Sequence, residues 1–207
     1  MSGDTKAGLR AARLSVRDGL SITERMEKSA AIQRYGLAGL DVPVGATVSG
    51  YYPIRSEADI MPLMAALAEK GARLCLPAVL DRETIVFRAY DPAEPLVDAG
   101  WGTMGPRPDA PLVDPDIILM PLSAFDGQGN RIGYGAGHYD RAIDRMRKRG
   151  LSPRLVGVAF ACQEVAAVPA DPHDVPMAAI LTEAGLRAFL VKSGSDLTPG
   201  QCVKTKR

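Results

Sequence analysis

Apolar and polar positions alternate at helical intervals near the start of the chain. Leu9, Arg10, Arg13, Leu14 and Arg17 share this spacing and predict a helix from Lys6 to Arg17. Ser21-Ile-Thr-Glu24 has the form of a capping box and opens a second helix, expected to run to about Leu37. Gly36 and Gly39 loosen the chain ahead of Pro43, and the β-branched and aromatic residues of Ala46 to Tyr52 predict the first strand. A third helix is expected from Glu57 or Ala58, with Ile60, Leu63, Met64 and Leu67 on its apolar face and Gly71 at its end. Arg73 to Val79 and Thr84 to Tyr90 read as strands. The apolar run Ile117 to Met120, bounded by Asp116 and Pro121, reads as a buried one.

Gly127 and Gly129 then mark a turn, and a helix is predicted from near Tyr139 to Gly150. Its Asp140 and Asp144 come early and Arg145, Arg147, Lys148 and Arg149 late, so its charges run with the helix dipole. Leu155 to Phe160 and Ala179 to Leu181 are further strands, and Thr182 or Glu183 is expected to open a last helix reaching about Val191. The prolines and glycines between Asp91 and Asp116 predict a long loop, which holds the lone Trp101. The polar segment from residue 193 to 207 is expected to be a flexible tail.

Strand and helix alternate through the middle and C-terminal parts. The expected fold is therefore α/β, a single domain over residues 1–192 with a mostly parallel sheet flanked by helices on both faces. Ligands of such sheets gather beyond the carboxyl ends of the strands. That rule puts Tyr52–Glu57, Pro121–Asp140 and Gln163–Asp174 on one rim.

A length of 207 residues suits one such domain, and 46% hydrophobic with 24% charged residues is ordinary for a globular protein. A net charge of +1 argues against nucleic-acid or membrane-surface binding. No apolar run approaches the roughly 20 residues of a membrane helix, and the Arg-rich N-terminal segment has no apolar core of a signal peptide. Cys75, Cys162 and Cys202 lie far apart without a Cys-x-x-Cys pair and read as free thiols of a cytoplasmic protein.

The chemistry concentrates in Arg131-Ile-Gly-Tyr-Gly-Ala-Gly-His-Tyr-Asp140. Glycines at 133, 135 and 137 let backbone N–H groups approach a ligand, and a following helix N-terminus attracts anions. Arg131 can pair with phosphate oxygens in a fork. Asp140 can hold a Mg²⁺ that itself binds phosphate. The pattern is neither the P-loop, which ends in Gly-Lys-Ser/Thr, nor the dinucleotide fingerprint G-x-G-x-x-G. On chemistry alone the run reads equally as a phosphate cradle or as a structural glycine turn.

Other candidates carry similar alternatives. Lys6 and Arg10, one helical turn apart, can face a polyphosphate or solvent. Glu57 reads as a site acid or as an acid favoured at a helix start. Asp174, in Pro172-His173-Asp174-Val175-Pro176, reads as a ligand or as a turn cap. His138 and His173 lack metal-like spacing. No pattern for nucleophilic hydrolysis is present.

Asn130 to Arg141, together with Pro121, Phe125-Asp126 and Gly129, closely resembles the signature of the 5-formyltetrahydrofolate cyclo-ligase family, also called 5,10-methenyltetrahydrofolate synthetases. The likeness extends over about residues 6–190, through Lys6-x-x-x-Arg10, Tyr52-Pro-Ile-x-Ser-Glu57, Leu76-Pro77, Val158-Ala159-Phe160, Val168-Pro169, His173-Asp174 and Leu181-Thr182-Glu183. It implies that ATP binds at Lys6, Arg10 and the run Arg131, Ile132, Gly133, Tyr134, Gly135, Ala136, Gly137, His138 and Tyr139. It implies that the folate binds at Tyr52, Glu57 and Tyr134 to His138, and that Asp140 and Asp174 hold Mg²⁺. Arg131 and Tyr134 take the catalytic positions. The chain departs from the family pattern at His138, where Tyr is expected, at Ala136, where Gly or Lys is expected, and at Ala178, often an acid. The Met104–Pro108 loop also lacks the glutamate associated with bacterial members.

The resemblance implies a cytoplasmic enzyme, expected to be a monomer, that uses ATP and Mg²⁺ to close 5-formyltetrahydrofolate, polyglutamylated or not, to 5,10-methenyltetrahydrofolate. ADP and phosphate are the other products, and an imidate phosphate is the expected intermediate. Two other readings are a non-catalytic folate- or nucleotide-binding relative, which binds without turnover, and a sugar-phosphate isomerase or CoA transferase on a related scaffold, which consumes no ATP.

Overall fold

The computed structural model describes residues 5–100, 102–169, 171 and 174–189. Helix α1 (Lys6–Asp18) opens on Thr5, whose hydroxyl accepts the Gly8 N–H. Helix α2 (Ile22–Gly39) opens on the predicted capping box, with Ser21 and Glu24 each satisfying the other's backbone N–H. Strand β1 (Thr47–Ser49) is shorter than Ala46 to Tyr52, because Tyr51 turns inward and donates its hydroxyl to the Ala58 carbonyl. Helix α3 (Met61–Glu69) begins later than Glu57 or Ala58. The reason is Pro62, whose ring is tolerated in a first turn and would clash with the carbonyl four residues earlier in a helix interior.

Strands β2 (Arg73–Val79) and β3 (Ile85–Tyr90) form a hairpin. The segment from Asp91 to Asp116 is not wholly irregular: β4 (Val97–Asp98) and β5 (Met104–Gly105) pair within it around Gly100 and Gly102, both at positive φ. Strand β6 (Ile117–Pro121) leads to a second small hairpin, β7 (Ala124–Phe125) and β8 (Arg131–Ile132), around the predicted Gly127/Gly129 turn. Helix α4 (His138–Lys148) and β9 (Arg154–Val158) follow, then a 3-10 turn (Ala161–Gln163).

The chain from Thr182 onward is a hairpin rather than the expected helix, formed by β10 (Ala179–Thr182) and β11 (Gly185–Ala188). Thr182 Oγ1 accepts the Ala184 N–H, and Gly185 takes a φ of 131°, which closes the turn and stops a helix from starting. Residues 193–207, with Cys202, lie outside the described residues, as do Trp101 and His173.

The main sheet runs in the order β11-β10-β9-β6-β1-β2-β3. Its five inner strands are parallel, and β3 and β11 close the two edges antiparallel. Alternate residues of β6 face opposite sides. Ile117 and Leu119 pack with Leu63, Met64 and Ile32 of α3 and α2, whereas Ile118 and Met120 pack with Ile143 and Met146 of α4. Helices thus cover both faces, as expected of a parallel sheet. Among the described residues no helix is long and apolar enough to cross a membrane.

Candidate functional site

The β7–β8 hairpin leaves the carboxyl end of β6 and is held by Asp126. That side chain is 1% exposed, and its carboxylate accepts the N–H groups of Gln128, Asn130 and Val168 and the Asn130 amide. Burial opposes ionisation there, but these donors hold the carboxyl below the usual range. The hairpin therefore delivers Arg131 and the glycines from a fixed base. Gly135 and Gly137 both have positive φ, 101° and 67°. Gly137 is the N-cap of α4 and supplies no capping side chain, so the helix presents its first turn uncapped to the rim.

A pocket of about 150 Å³ lies at that point. From the predicted ATP residues it draws Lys6, Arg10, Arg131, Ile132, Gly133, Gly135 and Gly137; from the predicted metal residues, both Asp140 and Asp174. Lys6 and Arg10 therefore face the rim and not solvent. The Lys6 ammonium lies 2.6 Å from Oδ2 of both Asp171 and Asp174. Burial works against its charge, but the two carboxylates win and raise its pKa. Arg10 Nε donates to the Gly133 carbonyl at 2.8 Å. Arg131, nearly enclosed, pairs with Asp140 and donates to the Val175 carbonyl. Asp174 also caps its own turn by accepting the Asp171 N–H, so its capping and site readings coexist.

A second group adjoins the first through Tyr134. Glu57 is 9% exposed and its Oε2 accepts the Ile54 N–H at 2.9 Å. Burial pushes its carboxyl up, against the opposing pull of the Tyr134 hydroxyl, the Ile54 amide and Arg17. Burial and the neighbouring Glu57 push the Tyr134 and Tyr139 hydroxyls far above the usual phenol range. Arg17, which is 2% exposed, donates from Nε to Ser56 Oγ at 2.9 Å and from a terminal nitrogen to the Tyr134 hydroxyl.

The remaining candidates sit at the margins. Tyr52 is half-buried and makes no side-chain hydrogen bond among the described residues. Ala136 and His138 turn toward the β2–β3 hairpin: His138 Nε2 lies 2.8 Å from the Arg82 carbonyl, and Arg141 bridges the Ala136 and Glu83 carbonyls. They brace the glycine run without lining the 150 Å³ pocket. Arg17, Ser56 and Asp171 were not singled out as site residues from the sequence. The only signal for Arg17 was its place in the Arg10–Arg13–Arg17 stripe of α1.

The charges fit a polyphosphate carried with a hard cation. Three cationic side chains and an uncapped helix start face one pocket, and two carboxylates share it. Among the described residues no three His, Cys, Asp or Glu side chains converge into a protein cage. Two carboxylates are nonetheless what Mg²⁺ ordinarily takes from protein when phosphate and water complete its shell.

Comparison with known proteins places the chain in a family. Residues 2–183 match the model of the 5-formyltetrahydrofolate cyclo-ligase family. A 5-formyltetrahydrofolate cyclo-ligase of Mycolicibacterium smegmatis is 32% identical over 191 residues, covering 88% of this chain and 95% of the relative. One from Haemophilus influenzae is 27% identical over 172 residues, covering 80% and 91%. Among solved structures, the 5,10-methenyltetrahydrofolate synthetase of Aquifex aeolicus superposes with a TM-score of 0.72 at 32% identity, covering 93% of this chain and 96% of that one. The Mycoplasma pneumoniae 5,10-methenyltetrahydrofolate synthetase shares the fold, with a TM-score of 0.70 over 86% of this chain and 98% of that one at 24% identity. With the motifs, the fold and the relatives in agreement over nearly its whole length, the chain belongs to the 5-formyltetrahydrofolate cyclo-ligase family.

Proposed function

We propose that this enzyme performs its cyclo-ligase reaction with ATP and Mg²⁺ and through an imidate phosphate. The observation that carries the proposal is the continuity of Arg131 to Asp140: both ends of the run and its glycines line the cation-lined pocket, while Tyr134 between them turns its hydroxyl to the buried Arg17 and Glu57. A phosphoryl donor in the first and a folate in the second would meet across Gly133–Gly137.

In the 5-formyl substrate the formamide oxygen is a poor leaving group. Transfer of the γ-phosphoryl group of ATP to that oxygen gives an imidate phosphate and ADP. N10 of the folate then attacks the former formyl carbon, the carbon–oxygen bond breaks, and the oxygen leaves in phosphate, which carries off the proton released from N10. No protein nucleophile is needed. The work is alignment and charge stabilisation. Lys6, Arg10 and Arg131 would exchange their carboxylate and carbonyl partners for phosphate oxygens. The carboxylates of Asp140 and Asp174, so released, would hold the cation. Mg²⁺, when bound, withdraws charge from the phosphoryl oxygens and fixes their direction. Glu57 would anchor the pterin by accepting its N–H groups, with Tyr134 beside it closing the folate against the transferred group. The protein acts on this reading as a monomer.

The test is the near-ultraviolet absorbance of the conjugated methenyl product, followed in purified protein with 5-formyltetrahydrofolate and Mg²⁺, with and without ATP. An ATP-dependent rise is expected. A flat trace with saturable folate binding would replace the proposal with the non-catalytic reading. Asp140→Ala is expected to lower turnover by at least about a hundredfold, the scale of losing a transition-state charge contact. Arg131→Ala should do the same and also lose stability, because Asp140 and the Val175 carbonyl lose their partner. Near-normal turnover in Asp140→Ala would sink the metal assignment.

A further inference from the structure

Arg17 is a fully buried cation that, among the described residues, touches no carboxylate directly, although its charge acts on nearby Glu57. Its 2% exposure would normally require a carboxylate partner, yet among the described residues its guanidinium makes no contact within 4.0 Å that counts as a salt bridge. It donates instead to two neutral hydroxyls, Ser56 and Tyr134. An apolar side chain of similar volume would fill this space at lower desolvation cost. A guanidinium is retained where its direction matters.

That direction is set at both ends. Ser56 accepts from Arg17 Nε and donates its own hydroxyl hydrogen bond to the Asp18 carboxylate, which orients the guanidinium plane. The guanidinium carbon sits 5.6 Å from the centre of the Tyr134 ring, so it holds the ring as well as the hydroxyl. Tyr134 needs such a hold: it is 37% exposed and lies between two glycines that restrain its backbone little. A phenol has one proton. With Arg17 donating to its oxygen, the Tyr134 hydroxyl keeps its own proton for Glu57, its other side-chain partner.

We infer that Arg17 is a positioning residue for the folate half of the site, fixing the Tyr134 hydroxyl and, through it, the Glu57 carboxylate. The inference rests on the proposed reading that the folate occupies this half. It assigns Arg10 and Arg17, two turns apart on α1, to the two different halves of one site.

The test is calorimetric titration of 5-formyltetrahydrofolate, and separately of ATP with Mg²⁺, into wild type, Arg17→Gln, Arg17→Lys, Tyr134→Phe and the Arg17→Gln/Tyr134→Phe double variant. Arg17→Gln is expected to weaken folate binding about tenfold or more, as for a lost hydrogen bond from a charged donor, and to leave ATP affinity unchanged. Arg17→Lys should restore little, because an ammonium lacks the planar fork that holds Ser56 and Tyr134 from two separate nitrogens. If Arg17 acts through Tyr134, adding Arg17→Gln to Tyr134→Phe costs much less than Arg17→Gln alone. Additive losses, or equal losses for folate and ATP, would overturn the inference. Should the Arg17 variants fail to fold, Ser56→Ala releases the guanidinium while keeping its charge; folate affinity should fall several-fold, and an unchanged value would overturn the idea. Folate binding without turnover would defeat the proposed reaction yet leave Arg17 decided by these affinities. No folate binding in wild type would overturn both.

Discussion

Glu57 is stabilised as an acid and, on the proposed reading, used as a carboxylate. Burial is the largest influence on it and raises its pKa in the folded protein above the ordinary value of 4.5. The folded state therefore binds the Glu57 proton more tightly than the unfolded chain does. Its favourable contribution is complete below the unfolded pKa and is lost as pH rises through the folded one. Above the folded pKa the ionised side chain is a drain on stability. Glu57→Gln should thus raise the thermal midpoint at neutral pH while removing folate binding; a lowered midpoint in a melting experiment would contradict this account. By the same shift, kcat/KM for folate should decline on the acid side at a pH above that of an ordinary glutamate.

Among the elements, the β7–β8 hairpin leaves little room for change at its turn. Gly129 has a φ of 89°, and a Cβ there would lie 2.9 Å from the Phe189 ring and 3.0 Å from the Met177 carbonyl. The carbonyl cannot swing away, because Gly129 O also accepts the Met177 N–H. Gly129→Ala therefore adds backbone strain of about 1–2 kcal/mol to overpacking of about 1–3 kcal/mol. A loss of at least about 2 kcal/mol is expected in a denaturant titration. The turn itself was legible, because glycines between apolar runs leave few alternatives. The capping box of α2 and the dipole-matched charges of α4 were legible for a related reason: each is a local contact encoded within four residues or along one face. The last hairpin was not. Thr182 to Val191 has no local feature that rejects a helix before the Gly185 backbone is known, and β11 forms because β10 offers it a free edge. Such pairing is a tertiary choice that overrides propensity.

Across the whole molecule, the pocket holds three cations, each already engaged by a carboxylate or a backbone carbonyl. The glycine run, Glu57 and the two aspartates could be read from short motifs. Arg17 could not, because a stripe of arginines on a helix looks the same whether solvent or a tyrosine faces it. If ATP with Mg²⁺ releases these internal pairs as proposed, it binds only the folded state. At a hundred times its Kd it should add about 2.7 kcal/mol of stability, or about 5–10 °C in midpoint for a domain of this size. Chelation of divalent cations should cancel most of the shift, and a shift equal with and without chelator would count against the paired aspartates as the cation's ligands.

Lys6 reaches Asp174 across 168 residues, Arg10 reaches Gly133 across 123, and Arg17 reaches Tyr134 across 117. On a ribosome adding roughly 5–20 residues per second, the first helix waits on the order of ten to thirty seconds for the last of these partners. Over that interval its arginine stripe is a cationic helix without the anions and hydroxyls that later neutralise it. Completion of the site should therefore wait for Asp174, and ligand binding in stalled nascent chains should begin only once Asp174 has cleared the exit tunnel.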